Sequence, residues 1–368
     1  MESLNVKELY HALHQIPEVG EHEFKTSAFV ADVLEKLGYA VTRNVGGTTG
    51  VVAVEKGVEP GPVLLLRADM DALPFVIDGK PCCIHACGHD GHMSMLLAAA
   101  SLLKGKIKRG TLKLLFQPAE ETFVGAVSMI EAGVLEGVDM AMGLHIRPKQ
   151  DIPYGTIAPG VQHSSSTAAK IFIKGMSCHA SRPHLGINTL EAAAAVINAI
   201  AAIKMNPNLS CSYKPTMIDC NSNATNIVPS ETTITYDLRS ESNELMEELV
   251  EKFKTAAVNA AKAYGAEAEV TFPFGIIPAA RLDADLTNDV AESVKRVLGE
   301  DKLVPLLKNP GGEDFHFYAY KYPQLKTAYF GVGVAADPGL HDPKMSFNLD
   351  ALQNGVDVLV DVTLQKLG

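Results

Sequence analysis

No stretch of this 368-residue chain holds about 18 consecutive apolar residues, so no membrane-spanning helix is expected. Basic charge is also in deficit: 32 Lys and Arg stand against 43 Asp and Glu, a net charge of −11. That balance argues against nucleic acid as a partner, because phosphate neutralisation needs cations in excess. An anionic membrane surface is disfavoured for the same reason. The opening residues, MESLNVKELYHALHQIPE, lack a basic start followed by an apolar run, so no secretory signal is expected. Cysteine is sparse, six residues with no CxxC pair. A thiol redox centre therefore has no support, and the expectation is reduced thiols in a cytoplasmic protein. No internal repeat or low-complexity tract is visible.

What remains is an ordinary globular composition, 47% hydrophobic and 20% charged. The length exceeds one ordinary core, so two domains are expected. Residues 3–16 and 25–37 read as helices, the second stopped by Gly38. Strands are expected at 49–57, 62–71, 111–121 and 138–146, with a buried helix over 93–105 among them. The run VLLLRA is apolar almost throughout, as a strand buried on both faces should be. Strands alternating with helices predict an α/β domain with a mostly parallel sheet. The middle reads differently. Strands at 167–175, 211–220, 231–240 and 268–275, with helices at 189–203 and 244–265, give the order β-α-β-β-α-β of a ferredoxin-like module. Beyond residue 280 the first pattern resumes, with a helix at 285–298, a strand at 329–333 and a terminal helix over 349–366. The expected organisation is one α/β domain, residues 1–165 and 280–368, interrupted by a small domain over 166–279.

The chemistry lies at strand ends, where open α/β sheets bind ligands. RADMD (67–71), PAEE (118–121), GLHIRP (143–148) and GLHDP (339–343) all fall there, and IHACGHDGH (84–92) lies between a strand end and a helix start. Cys87, His89, Glu121, His145 and His341 can be collected from these places. Thiolate, imidazole and carboxylate form the ligand set of zinc and its neighbours. Gly88 lets the backbone turn tightly enough for Cys87 and His89 to face one centre. Five ligands exceed one tetrahedral site, which points to two divalent ions. Zinc is the default from ligand type, and manganese, cobalt or nickel can serve in such a site.

RADMDALP (67–74), HACGHDGH (85–92), QPAEE (117–121), GLH (143–145), GMSCHASRPH (175–184), TNIVPSE (225–231), DLRS (237–240), GGEDF (311–315) and LHDPKMSFN (340–348) occur in one order along nearly the whole chain. In this the chain resembles the M20 metallopeptidase family, in its aminoacylase/amidohydrolase branch of hippurate hydrolases, N-acyl-amino-acid deacylases and indole-3-acetyl-amino-acid hydrolases. HACGHDGH with PAEE marks the branch, because Cys87 stands where many other M20 enzymes place an aspartate. The resemblance implies a zinc-peptidase-like catalytic domain with a mostly parallel mixed sheet and an inserted ferredoxin-like α+β lid domain. It implies hydrolysis of the amide bond of N-acyl amino acids by metal-bound hydroxide. Cys87 is then the bridging ligand, with His89, Glu121, His145 and His341 completing two sites. Glu120 is the general base, and Asp71 orients a metal-binding imidazole. Asp69 matches a ligand position of the wider family but is not expected to bind metal here. In the inserted domain, His179 matches the residue that stabilises the oxyanion, supplied in related dimers by the partner subunit. Asn226 and Arg239 match positions that hold the substrate carboxylate, and Gly311 and Gly312 let backbone approach the substrate. The resemblance leaves a homodimer through the inserted domain open.

Some residues depart from that pattern. The loop DGKPCC (78–83) is short for the branch. Arg147 either favours an acidic substrate or pairs with a surface carboxylate. Cys82, Cys83, Cys178, Cys211 and Cys220 read as ordinary buried thiols. His85 is expected to border the site, with Asp90 and His92 capping or supporting it. Two rival readings stand beside the deacylase: a dipeptidase of the same mechanism, and a metal-binding protein without turnover. Glu120 beside Glu121 argues against the latter, which has no need of a base.

Overall fold

A computed structural model describes residues 4–368. The chain packs as two compact units. The larger takes the residues up to Gln162, Arg281–Lys308 and Glu313–Gly368; the smaller takes His163–Ala280 and Asn309–Gly312.

The larger unit is built on a seven-stranded sheet in the order Ala40–Thr42, Val51–Lys56, Arg109–Gln117, Glu59–Asp69, Met140–Pro148, Lys326–Ala336, Ile157–Ala158. The four strands from Arg109–Gln117 to Lys326–Ala336 are parallel, and the flanking pairs are antiparallel. The central strands are buried on both faces, which is why Leu64, Leu65 and Leu66 follow one another without a polar break. Helices α1 (Val6–His14), α2 (Phe24–Lys36) and α3 (His89–Leu103) precede or interrupt the early strands. Helix α3 is enclosed on nearly all sides, so it lacks the polar stripe of a surface helix. Asn5 caps α1, accepting from the Lys7 and Glu8 amides. Two expectations need correction. Residues 73–84 form a hairpin, Leu73–Ile77 with Lys80–Ile84, and not a loop. Its turn is Asp78–Gly79, both at positive φ, the pair that a two-residue hairpin favours. Helix α3 also begins four residues earlier than expected, at His89.

The smaller unit is a four-stranded antiparallel sheet, Cys211–Cys220, Glu231–Ser240, Ser165–Lys174, Glu267–Thr271. With Thr189–Ala201 and Asn243–Ala263 its chain order is β-α-β-β-α-β, and its strands lie in the ferredoxin-like order. Along Glu231–Ser240 every second residue is buried: Thr232, Ile234, Tyr236, Leu238 and Ser240. They pack with Val196, Leu249 and Phe253 of the two helices, leaving Asp237 and Arg239 on the opposite face. Among the described residues no helix is long and apolar enough to cross a membrane.

Candidate metal centre

The carboxyl ends of the parallel strands carry the site. Asp69 is in register with Gln117, and His145 with Gly331 of the neighbouring strand. The chain leaving Asp69 forms the hairpin, returns at His85–Cys87 and enters α3 at His89. Gly88 makes that entry at φ 88°, and a Cβ on it would fall 2.2 Å from Ile146 Cδ1. Only glycine accepts both the conformation and the closeness. The ligand atoms of Cys87, His89 and His145 then lie within 4.8 Å of one another, as do those of Cys87, Glu121 and His341. Cys87 belongs to both groups, so the fold gathers the five side chains singled out in the sequence around one shared thiol.

This arrangement fits a pair of divalent ions. His89 Nε2 and Glu121 Oε1 are buried without a hydrogen-bond partner, which costs about 1–3 kcal/mol each unless something meets them. His89 and His145 each have their other nitrogen engaged. His89 Nδ1 lies 3.1 Å from Asp71 Oδ1, and His145 Nδ1 lies 2.5 Å from the Ile146 carbonyl oxygen. That second contact fixes the ring and leaves Nε2 as the donor of a lone pair. Asp71 Oδ2 also accepts from the Glu121 amide at 2.9 Å, so one carboxylate orients two of the five side chains. His341 is the exposed member, 3.6 Å from Glu121.

Burial, then Glu313 and Glu121 beside it, holds the Glu120 carboxyl well above the usual carboxylate range. Burial and Glu121 likewise push up the Cys87 thiol. Burial works against the charged form of His89, yet Asp69 and Cys87 hold its pKa above the ordinary value. A divalent cation among these groups reverses the preference and favours thiolate and carboxylate.

Beneath the ligands lies a charged network absent from the expectations. Arg67 is fully enclosed; it donates to Asp69 at 2.7 Å, Asp314 at 2.7 Å and Gln117 at 3.0 Å, and lies 3.1 Å from Glu313. Gln117 donates to both oxygens of Asp314, Tyr318 donates to Gln117, and Tyr329 to Glu313. Asp69 gathers with His89 and His92 within 4.8 Å. Its two oxygens, however, are committed to Arg67 and to His92 Nδ1 at 2.6 Å, leaving it little to offer a metal. His92 in turn accepts the Ile146 amide at 2.9 Å, which supports the strand next to His145. Asp90, in the first turn of α3, meets His14 Nδ1 at 2.6 Å. His85 is enclosed beside this pair. The sequence offered one signal for the network, a single arginine in the otherwise apolar run VLLLRA.

The remaining candidates fall in the smaller unit. His179 is in register with Ile227, and the Ala180 amide donates to the Asn226 carbonyl at 2.9 Å, so His179 and Asn226 share one short ribbon. The Arg239 guanidinium donates to Asp237 and, at 3.0 Å, to the Pro310 carbonyl, next to Gly311. Gly311 and Gly312 pack with this unit and not with the larger one: a Cβ on Gly312 would fall 2.6 Å from Ser166 Oγ. Arg147 is buried on its strand and pairs with the partly exposed Asp151 at 3.9 Å. Cys82 is exposed and Cys83, Cys178, Cys211 and Cys220 are partly so, which corrects the expectation of buried thiols. Cys82 and Cys83 lie on the projecting hairpin, and Cys211 and Cys220 end an edge strand.

Residues 65–365 match the profile of peptidase family M20/M25/M40. The chain belongs to this family. It is an M20 hydrolase acting on amide bonds. An N-acetylcysteine deacetylase of Bacillus subtilis is 32% identical over 92% of this chain and 91% of its own length. The thermostable carboxypeptidase 1 of Saccharolobus solfataricus is 34% identical over 87% and 84%. Among solved structures, a dinuclear metal-binding M20 peptidase of Bacillus subtilis superposes with a TM-score of 0.83 at 29% identity, covering 98% of this chain and 97% of that one.

Proposed function

We propose that this M20 amidohydrolase cleaves the amide bond of N-acyl amino acids, releasing a carboxylic acid and a free amino acid. The observation that carries the reading is Glu120: a buried carboxyl beside the ligand Glu121, 3.9 Å from His89 Nε2. With a divalent cation favouring its carboxylate form, Glu120 is suited to taking a proton and returning it. Two divalent ions on Cys87, His89, Glu121, His145 and His341, zinc by ligand type, would supply Lewis acidity and lower the pKa of water to about 7. Glu120 takes the proton of the attacking water on its carboxylate and delivers it to the leaving nitrogen. Asp71 keeps His89 and the Glu121 backbone aligned while it does so. In the smaller unit, His179 donates to the developing oxyanion, and Asn226 and Arg239 hold the substrate carboxylate beside Gly311 and Gly312. A second copy of the chain docks on this unit, and the protein acts in the cytoplasm.

Similarity over nearly full length to the N-acetylcysteine deacetylase supports the substrate class. Similarity to the carboxypeptidase supports a second reading, hydrolysis of peptide bonds by the same mechanism as in a dipeptidase, which cleavage of unacylated dipeptides distinguishes. The test is metal-stripped protein reloaded with zinc, manganese, cobalt or nickel and assayed on N-acetyl and N-aryl-acyl amino acids beside dipeptides. Hydrolysis of the acylated compounds is expected. Cleavage of dipeptides alone establishes the second reading, and turnover of neither class with any metal rejects both.

A further inference from the structure

The larger unit buries a carboxylate, Glu23, that neither the ligand set nor the Arg67 network uses. Glu23 is 0% exposed and occupies the residue before α2. Its side chain makes no hydrogen bond to the helix amides. The helix is capped from a distance by Glu18, which accepts the Lys25 amide at 2.9 Å, the Thr26 amide at 3.0 Å and the Thr26 hydroxyl at 3.0 Å. Glu23 is thereby released to face inward. Its Oε2 accepts the Thr49 hydroxyl at 2.6 Å, and its Oε1 accepts the Ala119 amide at 2.8 Å.

Ala119 is an unusual residue to hold. Its φ is 54°, a left-handed conformation that costs a non-glycine residue energy and persists only where its surroundings impose it. Gly20 lies against it: a Cβ on Gly20 would be 3.1 Å from Ala119 Cα and 3.3 Å from Asp71 Oδ2. The segment is anchored there, because the Ala72 amide donates to the Glu18 carbonyl at 2.8 Å. Two positions along, Asp71 accepts the Glu121 amide. Glu120 therefore lies between two backbone amides, each fastened by a buried carboxylate from a different part of the chain.

We infer that Glu23 is a positioning residue for the reaction: by holding the Ala119 amide in a left-handed turn it aims the Glu120 carboxylate, as Asp71 does for Glu121 and His89. Glu23 hydrogen-bonds to the Thr49 hydroxyl and the Ala119 amide and to none of the five candidate ligands, so its effect falls on turnover and not on metal or substrate affinity. The inference rests on Glu120 acting as the base, but the turn itself can be observed without any assay.

Two variants test it. Glu23→Met keeps the volume and removes the acceptor; Glu23→Gln keeps an acceptor for Ala119 and a polar partner for Thr49. In Glu23→Met the peptide spanning 117–125 should exchange its amide hydrogens roughly tenfold faster than in the native protein, with two metals still bound. Its kcat should fall about 10–100-fold, the usual cost of losing a supporting partner, while KM stays near the native value. Glu23→Gln should restore both protection and kcat. Unchanged exchange in Glu23→Met, or a Glu23→Gln variant as impaired as Glu23→Met, overturns the inference. If the native protein hydrolyses no N-acyl amino acid, the proposed substrate fails alone, and the exchange measurement still decides whether Glu23 holds the turn.

Discussion

The two units place their charges in opposite ways. In the larger one, Arg67, Asp69, Asp71, His89, His92, Glu120, Glu313 and Asp314 are all enclosed. In the smaller one the core is Ile171, Val196, Tyr236, Leu249 and Phe253, while His179, Asp237 and Arg239 remain partly or largely exposed. Charges in a dry interior act strongly on one another and need no reorganisation when a reaction begins. They are also costly if any partner is lost. The exposed residues carry little stability and gain meaning only from what they meet. The charges of the larger unit are thus set in the resting fold, and on the proposed reading those of the smaller unit act only once a substrate is bound.

The sharpest way to break the comparison is at its most shared atom. Cys87→Ala removes the one donor common to both ligand groups, so metal analysis should show loss of at least one ion and hydrolysis should fall by at least about a thousandfold, the scale of several kcal/mol of charge stabilisation. Next comes Arg67→Met. Removing the cation leaves Asp69, Glu313 and Asp314 uncompensated, and unfolding in urea should show a loss of about 3–5 kcal/mol. The matching change in the smaller unit, Arg239→Met, breaks a half-exposed pair with Asp237 and should cost at most about 1 kcal/mol, while raising KM for N-acyl amino acids. His179→Ala separates the two kinds of residue most cleanly: stability should stay within about 0.5 kcal/mol, yet kcat should fall about 10²–10³-fold if it donates to the oxyanion.

The smallest effect concerns His14. Its hydrogen bond to Asp90 raises its pKa above the ordinary value, although burial opposes the shift. A pKa raised by folding adds stability that is complete below the unfolded value of about 6.5 and is lost as pH rises through the folded value. The stability gap between the native protein and His14→Gln should therefore be wider at acid pH than at alkaline pH, by thermal unfolding across the range. A gap that widens toward high pH contradicts the sign.

Much of the fold was legible because burial writes itself into local pattern. The apolar run before Arg67 marked a strand covered on both faces, and alternation along Glu231–Ser240 marked one covered on a single face. The hairpin at 73–84 was missed because its strands are short and half exposed, although Asp78–Gly79 was the correct signal. In the site, the strand-end clusters pointed to five candidate metal ligands and the family resemblance to Glu120, and the fold brings them together. Beyond Asp71, Asp90 and His92, the supporting residues were not readable. Arg67 meets Asp314 across 247 residues, and Glu23 meets Ala119 across 96. No local rule links such pairs. Only the structure shows Glu18 capping α2 and Glu23 turned inward.

The central claim is that Glu120 moves the proton while its neighbours hold the metals. Glu120→Gln tests it most directly, with metal content and hydrolysis of N-acyl amino acids measured on the same sample. The account predicts two ions bound per chain, as in the native protein, and turnover lower by about 10²–10⁴-fold. A variant that keeps both ions and hydrolyses at the native rate contradicts it.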